Sequence, residues 1–368
     1  MNGSPQVPPP AHLEIVFALD TTGSMGGLLE GAKAKIWAIA NAISARDPAP
    51  DVRFGLVAYR DRCDDYVVRQ YGLTADLDLT FRHLGGLRAA GGGDMPEDVN
   101  AALAEAVDAV QWSTGEDVLK IIFLVGDAPP HMDYPDQEQY PEICARAVQR
   151  GIVINTIQCG NERSTVRPWK EIAQMGLGEY AAILQDGGVH AEATPYDEEM
   201  AAVSLALGGT AVPYGGDAAH ASVKAKLASS SAAPASSTAD RLAYSARRKK
   251  VVFGDDELLA ALDEGKLRLE QVDPRLLPAE LRDLPPAELR RALEARRAER
   301  ASLLARADAL RRQRDDYLDD QRRRAAAATP PPIPGSAGAA VAAPAPASFD
   351  REVQNAIRAQ ARRKGIDL

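Results

Sequence analysis

Short apolar runs alternate with apolar positions at helical spacing through residues 13–208. Continuous apolar runs of this kind are typical of strands buried on both faces of a sheet, and the helical spacing is typical of helices packed against it. The alternation predicts an α/β fold with a doubly wound, mostly parallel sheet. The segment 66–71 is predicted to add one antiparallel edge strand. The runs interpreted as the other strands are 15–19, 52–59, 121–125, 152–154 and 180–184.

The chain as a whole divides by composition into six segments. They are a disordered Pro-rich leader (1–12), the α/β domain (13–208), a flexible Ala/Ser/Gly-rich linker (209–240), a helical region (241–324), an Ala/Pro-rich linker (325–347) and a short C-terminal helix (348–368). One long charged helix is expected over 286–324. Arg296 and Arg300 interrupt its apolar stripe, which favours a single amphipathic helix over a regular coiled coil. We expect this α-helical tail to bind a second protein or to self-associate.

Charge is unevenly distributed along the chain. Residues 1–240 contain 17 Lys and Arg against 32 Asp and Glu, a net charge of −15, whereas residues 241–368 have a net charge of +6. An acidic α/β domain suits cation binding and argues against nucleic-acid binding. The beginning of the sequence lacks the pattern of a signal peptide, and no apolar stretch is long enough to span a membrane. The chain as written is expected to be cytoplasmic, with export of a longer precursor left open.

Acidic and hydroxyl side chains follow three separate predicted strands. Asp20-Thr21-Thr22-Gly23-Ser24 follows the first strand, Asp61 the second, and Asp127 the strand 121–125. The carboxyl ends of parallel strands are where such sheets bind ligands, and carboxylate and hydroxyl oxygens are what Mg²⁺ prefers. Helix capping would explain single members of the set, but independent capping residues would not cluster at one edge of a sheet.

The spacing of the first of these motifs resembles a known family. Asp20, Thr22 and Ser24 match the D-x-[ST]-x-S signature of the metal-ion-dependent adhesion site of von Willebrand factor type A domains. The sequence around the motifs is most similar to that of bacterial members. The loop Asp94-Met95-Pro96-Glu97 resembles that of the integrin beta-subunit I-like domain. The resemblance covers about residues 13–208 and implies a Rossmann-like fold. It also implies a divalent cation, Mg²⁺ or else Mn²⁺ or Ca²⁺, held by Asp20, Thr22, Ser24, Glu97 and Asp127.

The same resemblance implies a neighbouring second cation site at Asp61 and Asp94. Gly92 stands where the integrin loop has an Asn ligand, which weakens that second site. Gly27 and Leu28 stand where integrins have paired aspartates, so a third site is expected to be absent.

Three functions remain open at this stage. The resemblance implies a non-enzymatic module in which the bound cation grips an Asp or Glu of a protein partner. A second possibility is a Mg²⁺-dependent phosphohydrolase similar to haloacid dehalogenases, with Asp20 as the nucleophile. A third is a scaffold with a purely structural metal and a partner-binding tail. His131, Met132 and Tyr134 follow the Asp127 loop and are interpreted as loop packing.

Overall fold

The computed structural model describes residues 11–45, 49–188, 193–248, 256–328 and 347–366. They form two compact units, one built around a sheet and one built from helices. The strands are β1 (His12–Asp20), β2 (Asp51–Tyr59), β3 (Val68–Thr74), β4 (Val118–Gly126), β5 (Ile152–Cys159) and β6 (Leu177–Ile183). The helices are α1 (Gly26–Ile43), α2 (Leu77–Gly86), α3 (Val99–Ala104), α4 (Tyr140–Gln149), α5 (Arg163–Met175), α6 (Asp197–Gly209), α7 (Asp217–Ser231), α8 (Ala235–Arg248), α9 (Leu258–Asp263), α10 (Ala279–Arg282), α11 (Pro286–Ala328) and α12 (Phe349–Arg363).

The sheet has the strand order β3-β2-β1-β4-β5-β6. β3 runs antiparallel to β2, and all other neighbours are parallel. The predicted doubly wound sheet with one antiparallel edge strand is therefore confirmed. The order reverses at β1, which lies between β2 and β4, and a sheet of this type binds ligands beyond the carboxyl ends at that point. The register pairs Asp20 with Tyr59 and Leu19 with Val125, so β1, β2 and β4 end side by side.

Helices cover the sheet and bury one large apolar cluster. That cluster combines inward residues of β1, β2, β4 and β5 with residues of α3, α4 and α5. The sequence analysis did not predict α2 or α5. In α5 the buried positions Thr165, Trp169, Ile172 and Ala173 lie at helical spacing, but Pro168 lies inside the helix, and a proline in a sequence normally indicates the end of a helix.

The C-terminal helix α12 belongs to the sheet unit. The ring centroids of Phe349 and Phe17 are 5.9 Å apart. The side chains of Gln360 and Asn155, both buried, hydrogen-bond to each other, and Lys364 Nζ donates to the Val118 carbonyl at 2.8 Å. The predicted domain boundary of 13–208 therefore needs correction at its end, because α12 is part of this unit and α6 is part of the other.

The helical unit contains the segment predicted to be a flexible linker at 209–240, and that prediction is wrong. The segment includes α7 and the beginning of α8. Val223, Ala239 and Leu242 are buried in a cluster that also includes residues of α6 and α11. Alanine has the highest helix propensity and serine an intermediate one, so a segment rich in both becomes helical once apolar positions are buried.

The long helix α11 occurs where the sequence predicted it, and it packs through apolar and charged residues alike. Leu289 and Leu293 lie in one apolar cluster and Ala307 and Leu310 in another. Arg300, which interrupts the apolar stripe of the sequence, is buried and donates to both carboxylate oxygens of Glu257, at 3.0 and 3.2 Å.

In the described part of the chain, no helix is long and apolar enough to cross a membrane. The predicted leader lies outside the described residues except for 11–12, where β1 begins. The predicted Ala/Pro-rich linker also lies outside them, except for 325–328, which belong to α11, and residue 347.

Candidate metal centre

The loop after β1 places two hydroxyls next to a buried carboxylate. Asp20 is the last residue of β1 and is fully buried. The Thr22 backbone N–H and hydroxyl both donate to Asp20 Oδ1, at 2.8 and 2.7 Å, and the Thr22 and Ser24 hydroxyl oxygens are 3.4 Å apart. Asp20 Oδ2 is buried and has no hydrogen-bond partner among the described residues. Three oxygen-bearing side chains thus converge at the carboxyl end of the strand.

Helix capping does not explain this arrangement. Thr22 precedes the short 3₁₀ turn Gly23–Met25, but within the described chain its side chain makes no capping hydrogen bond. Asp98, by contrast, does cap a helix, since its Oδ1 accepts from the Ala101 N–H of α3 at 3.0 Å. The capping interpretation therefore applies to Asp98 and not to the Asp20 loop.

Glu97 lies near the Asp20 loop because its own loop is hydrogen-bonded to the loop that follows β4. The Glu97 N–H donates to the Pro129 carbonyl at 3.0 Å, and the His131 N–H donates to the Glu97 carbonyl at 3.1 Å. The Glu97 side chain is buried, and no described residue hydrogen-bonds its Oε2. Gly92 has φ +82°, and a Cβ there would lie 3.2 Å from Glu97 Oε1 and 3.3 Å from Thr22 Cβ. This crowding gives a physical reason for glycine at this position.

Asp127 follows β4 directly and completes the predicted set. Its neighbour Gly126 lies against Asp20, and a Cβ at Gly126 would approach Asp20 Oδ2 to 3.1 Å. Gln185 lies just after the end of β6. Its Nε2 donates to Asp127 Oδ2 at 2.6 Å and to the Ser24 carbonyl at 3.2 Å. The sequence analysis missed Gln185. Its only sequence signal was a polar residue just past the end of a strand.

Burial makes the two carboxyl groups hard to ionise. Burial raises the pKa of Asp20 to about 7, against the hydrogen bonds from Thr22 that lower it. Burial raises the pKa of Glu97 to about 9, with Asp20, Asp61 and Asp64 adding to the effect by charge repulsion. Carboxylates pressed together in a low-dielectric site need a neutralising positive charge if both are to be ionised.

The residues fit a hard divalent cation. Two buried carboxylates each present an unpaired oxygen, and the neighbouring donors are hydroxyl and carboxylate oxygens, the ligand chemistry of Mg²⁺, Mn²⁺ and Ca²⁺. They surround a cleft of about 500 Å³. The cleft lining includes Thr22, Ser24, Glu97, Asp127, Met95 and Gln185.

A second cluster of possible ligands lies beside the first. Single ligand atoms of Asp61, Asp94 and His131 all lie within 4.8 Å of one another. Asp61 and His131 are buried, whereas Asp94 is exposed. The Tyr134 hydroxyl donates to both oxygens of Asp61, at 2.9 and 3.1 Å. The structure therefore brings together the predicted pair, Asp61 and Asp94, and adds His131, to which the sequence analysis gave no role.

Comparison with known families gives one match over this region. The model of the von Willebrand factor A domain matches residues 14–192. A putative ariadne-like RING finger protein of Acanthamoeba polyphaga mimivirus is 31% identical over 121 residues, covering 33% of this chain and 11% of that protein. An alpha-protein kinase of Dictyostelium discoideum is 26% identical over 125 residues, covering 32% of this chain and 19% of that protein. The chain thus spans a fifth or less of the length of these relatives.

Solved structures with a similar arrangement share little sequence with this chain. An aerotolerance-related membrane protein of Bacteroides fragilis is 16% identical, with a TM-score of 0.33, and the match covers 46% of this chain and 91% of that one. Proximal thread matrix protein 1 from the mussel byssus, described with a zinc-occupied MIDAS motif, is also 16% identical. Its TM-score is 0.35, and the match covers 47% of this chain and 42% of that one.

Proposed function

Residues 14–192 of this chain belong to the von Willebrand factor A domain family, and on that premise we propose that the domain is a metal-dependent protein-binding module rather than an enzyme. The proposed ligands of the cation, Mg²⁺ or else Mn²⁺ or Ca²⁺, are Asp20, Thr22, Ser24, Glu97 and Asp127. When bound, the cation supplies positive charge and an open coordination position that a partner's Asp or Glu fills.

The observation that carries the proposal is the pair of buried oxygens, Asp20 Oδ2 and Glu97 Oε2, that have no hydrogen-bond partner in the described chain. An unpaired buried carboxylate oxygen costs stability unless a cation or a donor compensates for it. Nearby residues hold the rest of the site in position. Thr22 orients the Asp20 carboxylate, and Gln185 orients that of Asp127.

The charge of the cleft explains why an acidic partner would need the metal. Glu97, Asp127, Asp94 and Glu162 line it, and the buried Asp20 is hydrogen-bonded to the lining residue Thr22. A partner carboxylate entering without the cation would face Asp94, Asp127 and Glu162, with no Lys or Arg among the described lining residues to offset their charge. Binding should therefore be abolished by chelators, and Met95, which is exposed at the rim, offers an apolar contact to the partner.

The test measures metal binding first and partner capture second. Calorimetry with Mg²⁺ and Ca²⁺ should show one high-affinity event that Asp20→Ala removes. Immobilised parent protein should then retain a partner from its native cells in Mg²⁺, release it with chelator, and lose it when the partner's contact Asp or Glu is changed to its amide. Equal capture by the parent and Asp20→Ala would refute the proposal.

The phosphohydrolase alternative fits the cleft poorly. Asp20 is fully buried, whereas a nucleophilic carboxylate must reach a phosphorus atom. Among the described residues that line the cleft there is no Lys or Arg to balance a phosphate. Hydrolysis of an aryl phosphate in Mg²⁺ that Asp20→Ala abolishes would favour the enzyme. We expect none.

Partner capture by folded Asp20→Ala protein distinguishes the hypothesis of a purely structural metal from that of the binding module. A structural metal predicts that Asp20→Ala protein, tested below its melting temperature, still captures the partner through other surfaces. The proposed module predicts that the folded variant captures nothing.

A further inference from the structure

His131 has a buried ring nitrogen that plays no part in the proposed function. The side chain is about 95% buried, since its exposed fraction is 5%, and Nε2 has no hydrogen-bond partner among the described residues. That nitrogen lies 3.5 Å from Asp61 Oδ2 and 3.8 Å from Asp94 Oδ1. Both separations are longer than a hydrogen bond. A ring nitrogen directed at two carboxylates without a hydrogen bond to either needs an explanation.

The other ring nitrogen identifies the tautomer. His131 Nδ1 lies 2.8 Å from Asp133 Oδ1, and Asp133 is exposed. A carboxylate oxygen can only accept, so His131 Nδ1 is the donor of this hydrogen bond. With a hydrogen on Nδ1, Nε2 is the ring nitrogen that can offer a lone pair to a metal ion. A carboxylate that orients a histidine in this way is the usual outer partner of a metal-bound imidazole.

The ring is also fixed in direction by its surroundings. It stacks on Tyr134, with centroids 4.2 Å apart and planes 17° from parallel. Asn100 Nδ2 donates to the His131 carbonyl at 2.6 Å, which anchors the backbone. The same Tyr134 donates its hydroxyl to Asp61. The nitrogen and one carboxylate are thus held in place before any ligand arrives.

Two of the three ligand separations are close to those around a small transition-metal ion, and the third lies within 4.8 Å. A tetrahedral ion with bonds of about 2.1 Å holds its ligand atoms about 3.4 Å apart. The separations of 3.5 and 3.8 Å between His131 Nε2 and the two carboxylate oxygens lie close to that value. Imidazole nitrogen also shifts preference from Mg²⁺ and Ca²⁺ towards Zn²⁺ and its neighbours.

We propose that Asp61, Asp94 and His131 form a site for a first-row transition dication, Zn²⁺ above all, chemically distinct from the oxygen-only site at Asp20. Asp133 is a positioning residue that sets the histidine tautomer. Water completes the coordination, because Asp94 lies at the surface. The chain would then hold two different ions side by side, each selected by its own donors.

The experiment measures Zn²⁺ retained by the full chain in a large excess of Mg²⁺, which saturates the Asp20 site. The parent should retain one Zn²⁺ per chain after dialysis. Asp133→Asn should lower the Zn²⁺ affinity by about 10- to 100-fold, and His131→Gln and Asp94→Asn by at least as much. Co²⁺ in place of Zn²⁺ should give a visible absorption band that His131→Gln shifts or removes. His12→Gln, at an exposed histidine of the same unit, serves as the matched control and should change nothing.

The outcomes are separable from those of the proposed function. Asp20→Ala should lose the Mg²⁺ response and keep the Zn²⁺. Zn²⁺ retention unchanged in both His131→Gln and Asp94→Asn would overturn the site. So would a parent that retains no Zn²⁺. Asp94 and Asp133 are exposed, so their variants decide the question even if His131→Gln fails to fold.

Discussion

At the scale of single residues, the candidate metal centre is a set of acids held close together at a cost in stability. Asp20 and Glu97 are buried, and the structure supplies Asp20 with donors for only one of its two oxygens. Small residues make room for them, above all Gly92 and Gly126. Three predictions concern these residues.

The first prediction is that Asp20→Asn removes the metal response without unfolding the domain. Metal at about 100 times its dissociation constant should stabilise the parent by about 2.7 kcal/mol and the variant by almost nothing. The metal-free variant should melt at or above the temperature of the metal-free parent, because a repelled buried charge is gone. Thermal melts with and without Mg²⁺ check this, with the exposed Asp117→Asn as a control that keeps the full response. A variant unfolded even without metal would show that Asp20 is structural.

The second prediction concerns pH. The pKa values of Asp20 and Glu97 are raised, to about 7 and about 9, so the folded metal-free protein binds more protons than the unfolded chain between about pH 4 and 9. Its stability should therefore fall as pH rises through that range, and metal affinity should increase, since the ligands must ionise. Melts from pH 5 to 9 should show the Mg²⁺-dependent shift growing with pH. A shift independent of pH would contradict the raised values.

The third prediction is that Gly126→Ala lowers the stability of the domain and weakens metal binding, although Gly126 is not itself a proposed ligand. The added Cβ would lie 2.5 Å from the Tyr59 hydroxyl and 3.0 Å from Asp20 Cβ, so β1, β2 and β4 could not keep their present spacing. We expect a loss of about 1–3 kcal/mol in stability and weaker metal binding. Gly85→Ala in α2 meets no atom within 4 Å and should be neutral or slightly stabilising.

At the scale of elements, the centre exists because strands and loops are joined at one edge of the sheet. The parallel strands β1 and β4 end at the same level of the sheet. A backbone bridge between Glu97 and Pro130 joins the loop that contains Glu97 to the loop that follows β4. On a face of the same sheet, α12 covers residues that would otherwise meet water, with Phe349, Val353, Ile357 and Ala361 buried.

The fourth prediction tests whether α12 completes the core of the α/β unit. Phe349 is almost fully buried and packs near Phe17 of β1, so Phe349→Ala should cost about 3–5 kcal/mol. Arg351→Ala on the exposed side of the same helix should stay within about 0.5 kcal/mol of the parent. Urea titrations give both values. Equal stability of the parent and Phe349→Ala would return α12 to the status of a dispensable tail.

At the scale of the whole molecule, the described chain forms two compact units, and the helical one is more ordered than its composition suggests. It includes two apolar clusters and the buried pair of Arg300 and Glu257. A buried pair of this kind is strongly destabilising when one partner is removed, so it ties α11 to the residue that precedes α9.

The fifth prediction is that residues 217–248 resist limited trypsin digestion. Lys226 and Arg241 are buried within α7 and α8, and the exposed Lys224 lies inside α7, so cleavage at each of them requires local unfolding. The exposed Arg322 and Arg324 near the end of α11 should be cut earlier. Mass spectrometry of the first fragments identifies the order. Early cleavage at Lys224 or Lys226, within the predicted linker 209–240, would support a flexible linker after all.

The sequence determined the features that depend on local pattern. Alternating apolar runs predicted the parallel sheet, and β3 pairs with β2 as the edge strand that was expected. Acids at strand ends predicted that Asp20 and Asp127 would meet, because parallel strands place their carboxyl ends at one edge. The likeness of the Asp94–Glu97 loop to a known loop implied that Glu97 would join them.

Only the tertiary structure decided the features that depend on contacts between distant residues. His131 meets Asp61 across two loops, Gln185 reaches Asp127 from the end of another strand, and α12 returns to the sheet to pair Gln360 with Asn155. No periodicity or motif spacing in the sequence indicates these contacts, because each depends on where two distant segments lie in the folded chain. Local free energies set the strands and helices, and the burial of polar groups against distant partners set the site.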